Sequence, residues 1–213
     1  MSRLRVLLAD DHKIVVEGLR GLLEPEMELV GTVEDGRALL SAVKHLNPDI
    51  VVVDISMPLL NGIDATEQIK KVNKKIKIIF LTMHPDVTYA TRAFQVGASG
   101  YVLKHSAPSE LITAIHEAQK GRTYVTPLIA KEVLNSFMEG THKKGKNASQ
   151  LTARQREVLQ LLVEGHTAKA IASLLNISPR TVEFHKNQIM EDLKLHNKAE
   201  LIQYAIRHGL TSL

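Results

Sequence analysis

The sequence contains no cysteine. Disulfides and thiolate metal sites are therefore excluded, and a reducing cytoplasm is the expected location. No charged-then-apolar leader opens the chain, and no apolar run approaches ~18 residues, so neither secretion nor membrane spanning is expected. The ten histidines stand singly, without ligand spacing such as His-x-x-x-His, which argues for surface or loop roles over a metal site. Strand signals are absent beyond Leu151. What is present is an ordinary mixture for a soluble protein: 213 residues, 44% hydrophobic and 23% charged, enough for one large domain or two modest ones. The net charge of +4 is unevenly spread. Lys and Arg balance Asp and Glu at 15 and 15 over residues 1–125, but outnumber them 9 to 6 over 145–213. A basic excess in the last third favours a polyanionic partner there.

Ile50 to Val53 is a continuous β-branched run that ends in Asp54, as expected of a strand covered on both faces in a parallel sheet. Residues 5–9, 28–33, 77–81 and 100–103 read as further strands, and helical spacing lies between them. Ile63, Ile69 and Val72 are expected on one face of the helix after the third strand. Five strands alternating with five helices imply an open, doubly wound parallel sheet of flavodoxin-like order 2-1-3-4-5. Its switch point falls between the strands ending in Asp10/Asp11 and in Asp54, where ligands bind in such sheets. Thr82 and Lys104 end the fourth and fifth strands. Carboxylates that share a crevice repel unless a cation joins them, and Mg²⁺ is the hard cation usually held this way. A carboxylate can take up a phosphoryl group as aspartyl phosphate, and a hydroxyl and an ammonium beside it could neutralise the transferred oxygens.

Leu8-Ala9-Asp10-Asp11-His12, Asp54-Ile55-Ser56-Met57-Pro58 with Gly62, Leu81-Thr82, and Gly97 to Lys104 together resemble the receiver domain of two-component response regulators. The resemblance covers residues 4 to about 122. It implies that Asp54 accepts phosphoryl from a sensor histidine kinase or a small donor such as acetyl phosphate. Asp11 and Asp54 would hold Mg²⁺, with Asp10 orienting a bound water and the Ser56 carbonyl completing the site. Thr82 and Tyr101 would be the switch pair. The family usually has proline after the lysine equivalent to Lys104; here His105 follows.

Residues 128–138 read as another helix. Residues 140–149 are polar and glycine-bearing, which marks a linker. Beyond it, Thr152 with Gln155 makes a capping box, Thr167 opens a short helix, and Ser178-Pro179 starts a longer one. A last helix ends near Gly209. Residues 168–187 have helix-turn-helix spacing. On the second helix Val182, Ile189 and Leu193 face the domain core, while Arg180, Glu183, Phe184, Asn187 and Glu191 lie opposite. An exposed Phe in mid-helix suits a groove contact, since an apolar side chain can meet a thymine methyl while Asn bonds adenine. Phe184 could instead close the edge of a small core. Arg180, Thr181 and Lys186 are placed to reach phosphates, and Lys169 on the preceding helix joins them.

Leu151 to Leu159, Gly165, Ile171-Ala172, Ile177-Ser178 and Thr181-Val182 with His185 resemble the LuxR-type (NarL/FixJ) DNA-binding domain. Glu183 stands where many members have lysine, so a direct contact there would accept from cytosine. Ala170 replaces a usual glutamate. The resemblance implies that the last helix, with Leu201, Ile202, Ala205 and Ile206, pairs two copies on DNA.

The expected organisation is an α/β receiver over 1–122, a linker helix and flexible linker over 123–149, and an all-α four-helix helix-turn-helix domain over 150–213. The expected function is a phosphorylation-controlled transcription factor, not an enzyme. Its expected partners are double-stranded DNA, a cognate sensor histidine kinase, RNA polymerase and, when active, a second copy. Phosphorylation would either expose the recognition helix or promote dimers. A Mg²⁺-dependent phosphotransferase or an unphosphorylated dimerisation module would be the rivals.

Overall fold

The computed structural model describes residues 3–140 and 151–211. The linker expected at 140–149 thus lies almost wholly outside the described residues. The first unit is a six-stranded sheet: β1 (Arg5–Ala9), β2 (Glu28–Val33), β3 (Ile50–Val53), β4 (Lys77–Thr82), β5 (Gly100–Leu103) and β6 (Tyr124–Val125). The order is β2-β1-β3-β4-β5-β6, and every pairing is parallel. The expected 2-1-3-4-5 order is there, with one addition. β6 pairs Gly100 with Tyr124 and Tyr101 with Val125, and two residues are too few to leave a period-2 pattern in the sequence.

Alternation along the strands builds two cores. Leu7, Val51, Val53, Ile78 and Phe80 point to one face of the sheet. Val6, Leu8, Ile50, Val52, Ile79 and Leu81 point to the other. Both faces are covered by helices, which is why β3 is apolar at every position. Each such side chain contributes about 1.5–3 kcal/mol on burial. The covering helices are α1 (Lys13–Leu23), α2 (Gly36–Leu46), α3 (Gly62–Val72), α4 (Val87–Gln95) and α5 (Ala107–Gln119). Ile63 and Ile69 are buried in α3 as expected, but Val72 is 79% exposed. It ends α3, and residues 71–75, the end of the helix and the turn after it, are all exposed. A helix α6 (Pro127–Gly140) follows and packs Ile129 and Val133 into the first core.

The second unit is helical: α7 (Ala153–Val163), α8 (Ala168–Leu175), α9 (Pro179–Asp192) and α10 (Lys198–Arg207). Both bonds of the Thr152–Gln155 capping box are formed. Asn176 ends α8 in the left-handed conformation, φ 52°, and Ser178 caps α9 through the Thr181 N–H. Leu159, Ile171, Leu175, Val182, Ile189, Leu201 and Ala205 form the core.

The two units are docked through α7. Gln155, Arg156, Glu157 and Gln160 are buried polar residues of that helix. Arg156 Nε lies 2.7 Å from Asp64 Oδ1 and its Nη2 2.8 Å from Glu67 Oε2. Arg92 meets the same Asp64 oxygen at 2.8 Å. Gln160 accepts from Asn61 N at 2.8 Å and donates to the Met57 carbonyl at 2.9 Å. The Glu164 carboxylate accepts from Leu59 N at 3.2 Å, and burial pushes that carboxyl above its ordinary value. At the end of α10, the Tyr89 hydroxyl donates to the Ile206 carbonyl at 3.1 Å.

Candidate functional site

The carboxyl ends of β1, β3, β4 and β5 converge on one acidic pocket. Asp54 follows directly on β3, and its N–H donates to the Ala9 carbonyl of β1 at 2.8 Å. That bond ties the two strands on either side of the switch point. A Cβ built on Gly62 would overlap the Asp54 carbonyl, so the start of α3 can close over Asp54 only because residue 62 has no side chain. Asp54 Oδ1 accepts from Ile55 N at 2.7 Å, and its Oδ2 lies 2.7 Å from Lys104 Nζ. The same ammonium lies 2.7 Å from Asp10 Oδ2. Burial pushes the Asp54 carboxyl up against the opposing pull of Lys104, and the charge of Asp10 adds to the rise. Burial works against the Lys104 ammonium, but Asp54 and Asp10 outweigh it and hold its pKa above the ordinary lysine value.

Asp10, Asp11, His12 and Asp54 each place one ligand atom within 4.8 Å of the others. Asp10 Oδ1 accepts from His12 N at 2.9 Å, and His12 Nδ1 lies 3.0 Å from both Asp10 and Asp11. Asp10 Oδ2 and Asp11 Oδ1 are buried without an aligned hydrogen bond, though each meets a cationic or imidazole neighbour. Hard oxygen donors gathered in this way suit a divalent cation.

The hydroxyls of Thr82 and Tyr101 are both engaged at His84 and not at Asp54. Thr82 is fully buried, and its hydroxyl accepts from His84 N at 3.2 Å. The Tyr101 ring is fully buried too, and its hydroxyl donates to the His84 carbonyl at 2.8 Å. Burial pushes that phenol well above its ordinary value. Ser56 presents its hydroxyl 2.9 Å from His84 Nε2. His84 thus links three residues of the pocket. A solitary histidine between Met83 and Pro85 carries no spacing signal that would mark it. Nor does any local pattern mark His12 as a pocket residue, or Asp64, Arg156 and Gln160 as a buried interdomain cluster. A cavity of 530 Å³ lined by Arg3, Asn47, Lys75 and Gln119 lies at the opposite ends of the strands and holds none of these groups.

On α9, Arg180, Glu183, Phe184 and Asn187 are exposed, as is Lys169 on α8. Phe184 is 56% exposed and is not among the side chains of the second core, so it does not close a core edge; its ring lies 5.9 Å from that of His185. Thr181 Oγ1 shares a hydrogen bond with Ser178 Oγ at 2.8 Å. Lys186 Nζ lies 3.3 Å from Glu183, an exposed pair of about 0–1 kcal/mol that a phosphate could readily displace. The peptide after Lys104 is trans, as are all those described, and residues 104–106 form a short 3₁₀ turn. Among the described residues no helix is long and apolar enough to cross a membrane.

Comparison with known proteins covers both units. The response regulator receiver domain family matches residues 6–116. The luxR family of bacterial regulatory proteins matches residues 149–205. The oxygen regulatory protein NreC of Staphylococcus carnosus is 34% identical over 97% of this chain and 99% of its own length. The transcriptional regulatory protein DegU of Brevibacillus brevis is 29% identical over 98% of this chain and 95% of its own. Among solved structures, the RcsB response regulator of Salmonella typhimurium is similar with a TM-score of 0.65 at 30% identity, covering 98% of this chain and 99% of that one. A structure of two RcsB dimers bound to two parallel DNAs matches with a TM-score of 0.61 at 29% identity, over 97% and 99%. A receiver domain followed by a luxR-type domain is thus shared along the whole length. The chain belongs to the response regulators of the NarL/FixJ type, which are DNA-binding transcriptional regulators rather than enzymes.

Proposed function

We propose that phosphorylation of Asp54, supported by Mg²⁺, controls sequence-specific DNA binding by this chain. The observation that carries the reading is the joint approach of Lys104 to Asp54 and Asp10 at 2.7 Å each, beside an Asp11 oxygen without an aligned partner. An ammonium and hard oxygen donors around one nucleophilic carboxylate are the parts that phosphoryl transfer requires. The working division is a receiver over 1–122, a linker over 123–149 and a DNA-binding domain over 150–213. The cytoplasm is its proposed location.

Asp54 Oδ2 would attack phosphorus while the bond to the donor breaks: P–N in a phosphohistidine of a sensor kinase, or P–O in acetyl phosphate. The leaving imidazole or acetate takes the bonding electron pair. Asp10, Asp11 and Asp54, with the Ser56 carbonyl, would hold Mg²⁺, which when bound neutralises charge on the transferred oxygens. Lys104 would move from its two carboxylates to a phosphoryl oxygen. The Thr82 hydroxyl would rotate from its His84 bond toward another, and Tyr101 would follow as its switch partner. The new negative charge is the local event.

In the second domain, Phe184 and Asn187 are proposed to meet base edges, with Glu183 accepting from cytosine where it makes contact. Lys169, Arg180, Thr181 and Lys186 would hold phosphates. The RcsB complexes, described as dimers on DNA, support a homodimer on DNA here, and RNA polymerase is the proposed downstream partner. The deciding experiment incubates the chain with labelled acetyl phosphate and Mg²⁺. Label should enter the native chain and be absent from Asp54→Asn, and chelation by EDTA should prevent it. Labelling that persists in Asp54→Asn would refute the assignment.

A further inference from the structure

We propose that the receiver controls the last helix, α10, rather than the recognition helix, and that His84 and Tyr89 carry the state of the Asp54 pocket to it. This deepens the proposed function and rests on phosphorylation of Asp54 for its trigger, but not for its resting geometry.

The resting geometry has two parts. First, α9 is uncovered while the domains are docked. Arg180, Glu183, Phe184 and Asn187 all face solvent, and the interdomain bonds described above fall on α7 and the end of α10. The receiver does not cover these side chains, so their burial is not what docking controls. Second, α10 is held at its C-terminal end. Tyr89 of α4 donates its hydroxyl to Ile206 O at 3.1 Å. Its ring occupies the space directly over Gly209, where any Cβ would overlap it. Ile202 and Ile206, the large apolar side chains of α10 outside the domain core, are only half-buried. They are apolar surface to which a second copy could add.

The connection to the pocket runs through His84. Its ring stacks on the Tyr89 ring with centroids 4.8 Å apart and planes 27° from parallel. The His84 backbone N–H is held by Thr82 Oγ1, its carbonyl by the Tyr101 hydroxyl, and its Nε2 by Ser56 Oγ. A Thr82 hydroxyl that turns to a phosphoryl group releases the His84 N–H. Tyr101 moving after it releases the carbonyl. With both backbone bonds gone, the ring beneath Tyr89 keeps only its Ser56 bond and can swing about it, and the hydroxyl bond to Ile206 goes with that shift. The two-state element that coupling requires is the seating of residues 198–210 on α4, and phosphorylation biases it because only one state keeps Thr82 on His84.

The absence of native cysteine makes the test direct, since an introduced thiol is unique. Gln203→Cys places one on an exposed position of α10, and Gln188→Cys places one on an exposed position of α9. In the full chain, bismaleimide cross-linking between Gln203→Cys copies should rise about fivefold or more with acetyl phosphate and Mg²⁺, the lower bound of ordinary allosteric coupling. Adding Tyr89→Ala should give that cross-linking without any phosphoryl donor. Tyr89→Phe, which keeps the ring and loses the hydroxyl, should give an intermediate level. Gly209→Asn should reproduce Tyr89→Ala from the other side of the contact, because asparagine tolerates the positive φ while its Cβ displaces Tyr89. Labelling of Gln188→Cys should be the same with and without donor. The proposal is overturned if Tyr89→Ala and Gly209→Asn both stay at the resting level, or if donor unmasks Gln188→Cys as strongly as it promotes α10 cross-linking. If no label enters Asp54 yet the two variants still raise cross-linking, phosphorylation control fails and the α10 latch stands.

Discussion

Asp54, Asp10 and Lys104 derive their chemistry from the ends of strands, where the backbone is spent on the sheet and the side chain is free to point into the crevice. Gly62 is the least conspicuous member of that set. A methyl group there would meet the Asp54 carbonyl. Gly62→Ala should therefore shift the loop after β3, lower phosphoryl incorporation and destabilise the receiver by about 1–3 kcal/mol, the range for overpacking in a filled core. Urea unfolding and labelling of the same preparation check both effects. On α9 the side chains separate by role. Phe184→Ala and Asn187→Ala should relax sequence preference in selection from random duplexes. Lys186→Ala should weaken all duplexes alike and reduce the salt slope by about one. Equal loss on specific and random DNA for all three would remove the assignment of base contacts.

At the scale of elements, local rules account for most of what is seen. The period-2 alternation of β1, β3 and β4 produces two cores from one sheet. The helices of the second domain begin where side chains satisfy their first N–H groups: Thr152, Thr167, Ser178 and Asn197 each cap one. Thr152→Ala removes one bond of a capping box and should cost about 1 kcal/mol, read as a lower urea midpoint for the second domain. Ile189→Ala empties a fully buried site in a core of about a dozen side chains and should cost about 2–5 kcal/mol. A smaller loss for Ile189→Ala than for Thr152→Ala would contradict the packing described. These elements were legible in the sequence because capping and periodicity span only a few residues. The two-residue β6 and the exposed Val72 were not, since a very short strand has no period and a helix does not state where its supporting layer ends.

For the whole molecule, the notable interface is polar. Asp64 is 2% exposed and is shared by Arg92 from its own domain and Arg156 from the other. Arg156→Ala leaves Asp64 compensated by Arg92 alone, so docking should weaken by less than the roughly 3–5 kcal/mol of an orphaned buried charge. The amides of Leu59 and Asn61, which donate to Glu164 and Gln160, should then exchange faster with solvent. Unchanged exchange at both would mean that α7 is not what protects them. Docking held by directional polar bonds loses several partners at once when it opens, which suits an interface that must release.

The sequence by itself determined the fold class of each domain, the strand-end carboxylates with Lys104 and Thr82, and the outward side chains of α9. These follow from interactions within a strand, a helical turn or an N-cap, where nearby residues decide the outcome. Only the tertiary structure decided that α7 turns buried polar side chains toward the receiver, that His84 stands between the pocket and Tyr89, and that Tyr89 holds the end of α10 while α9 stays open. Asn61 and Gln160 are 99 residues apart, and Tyr89 and Ile206 are 117 apart. A glutamine or tyrosine at such distance has no local pattern to mark it, and its role is set by the partner that folding brings to it.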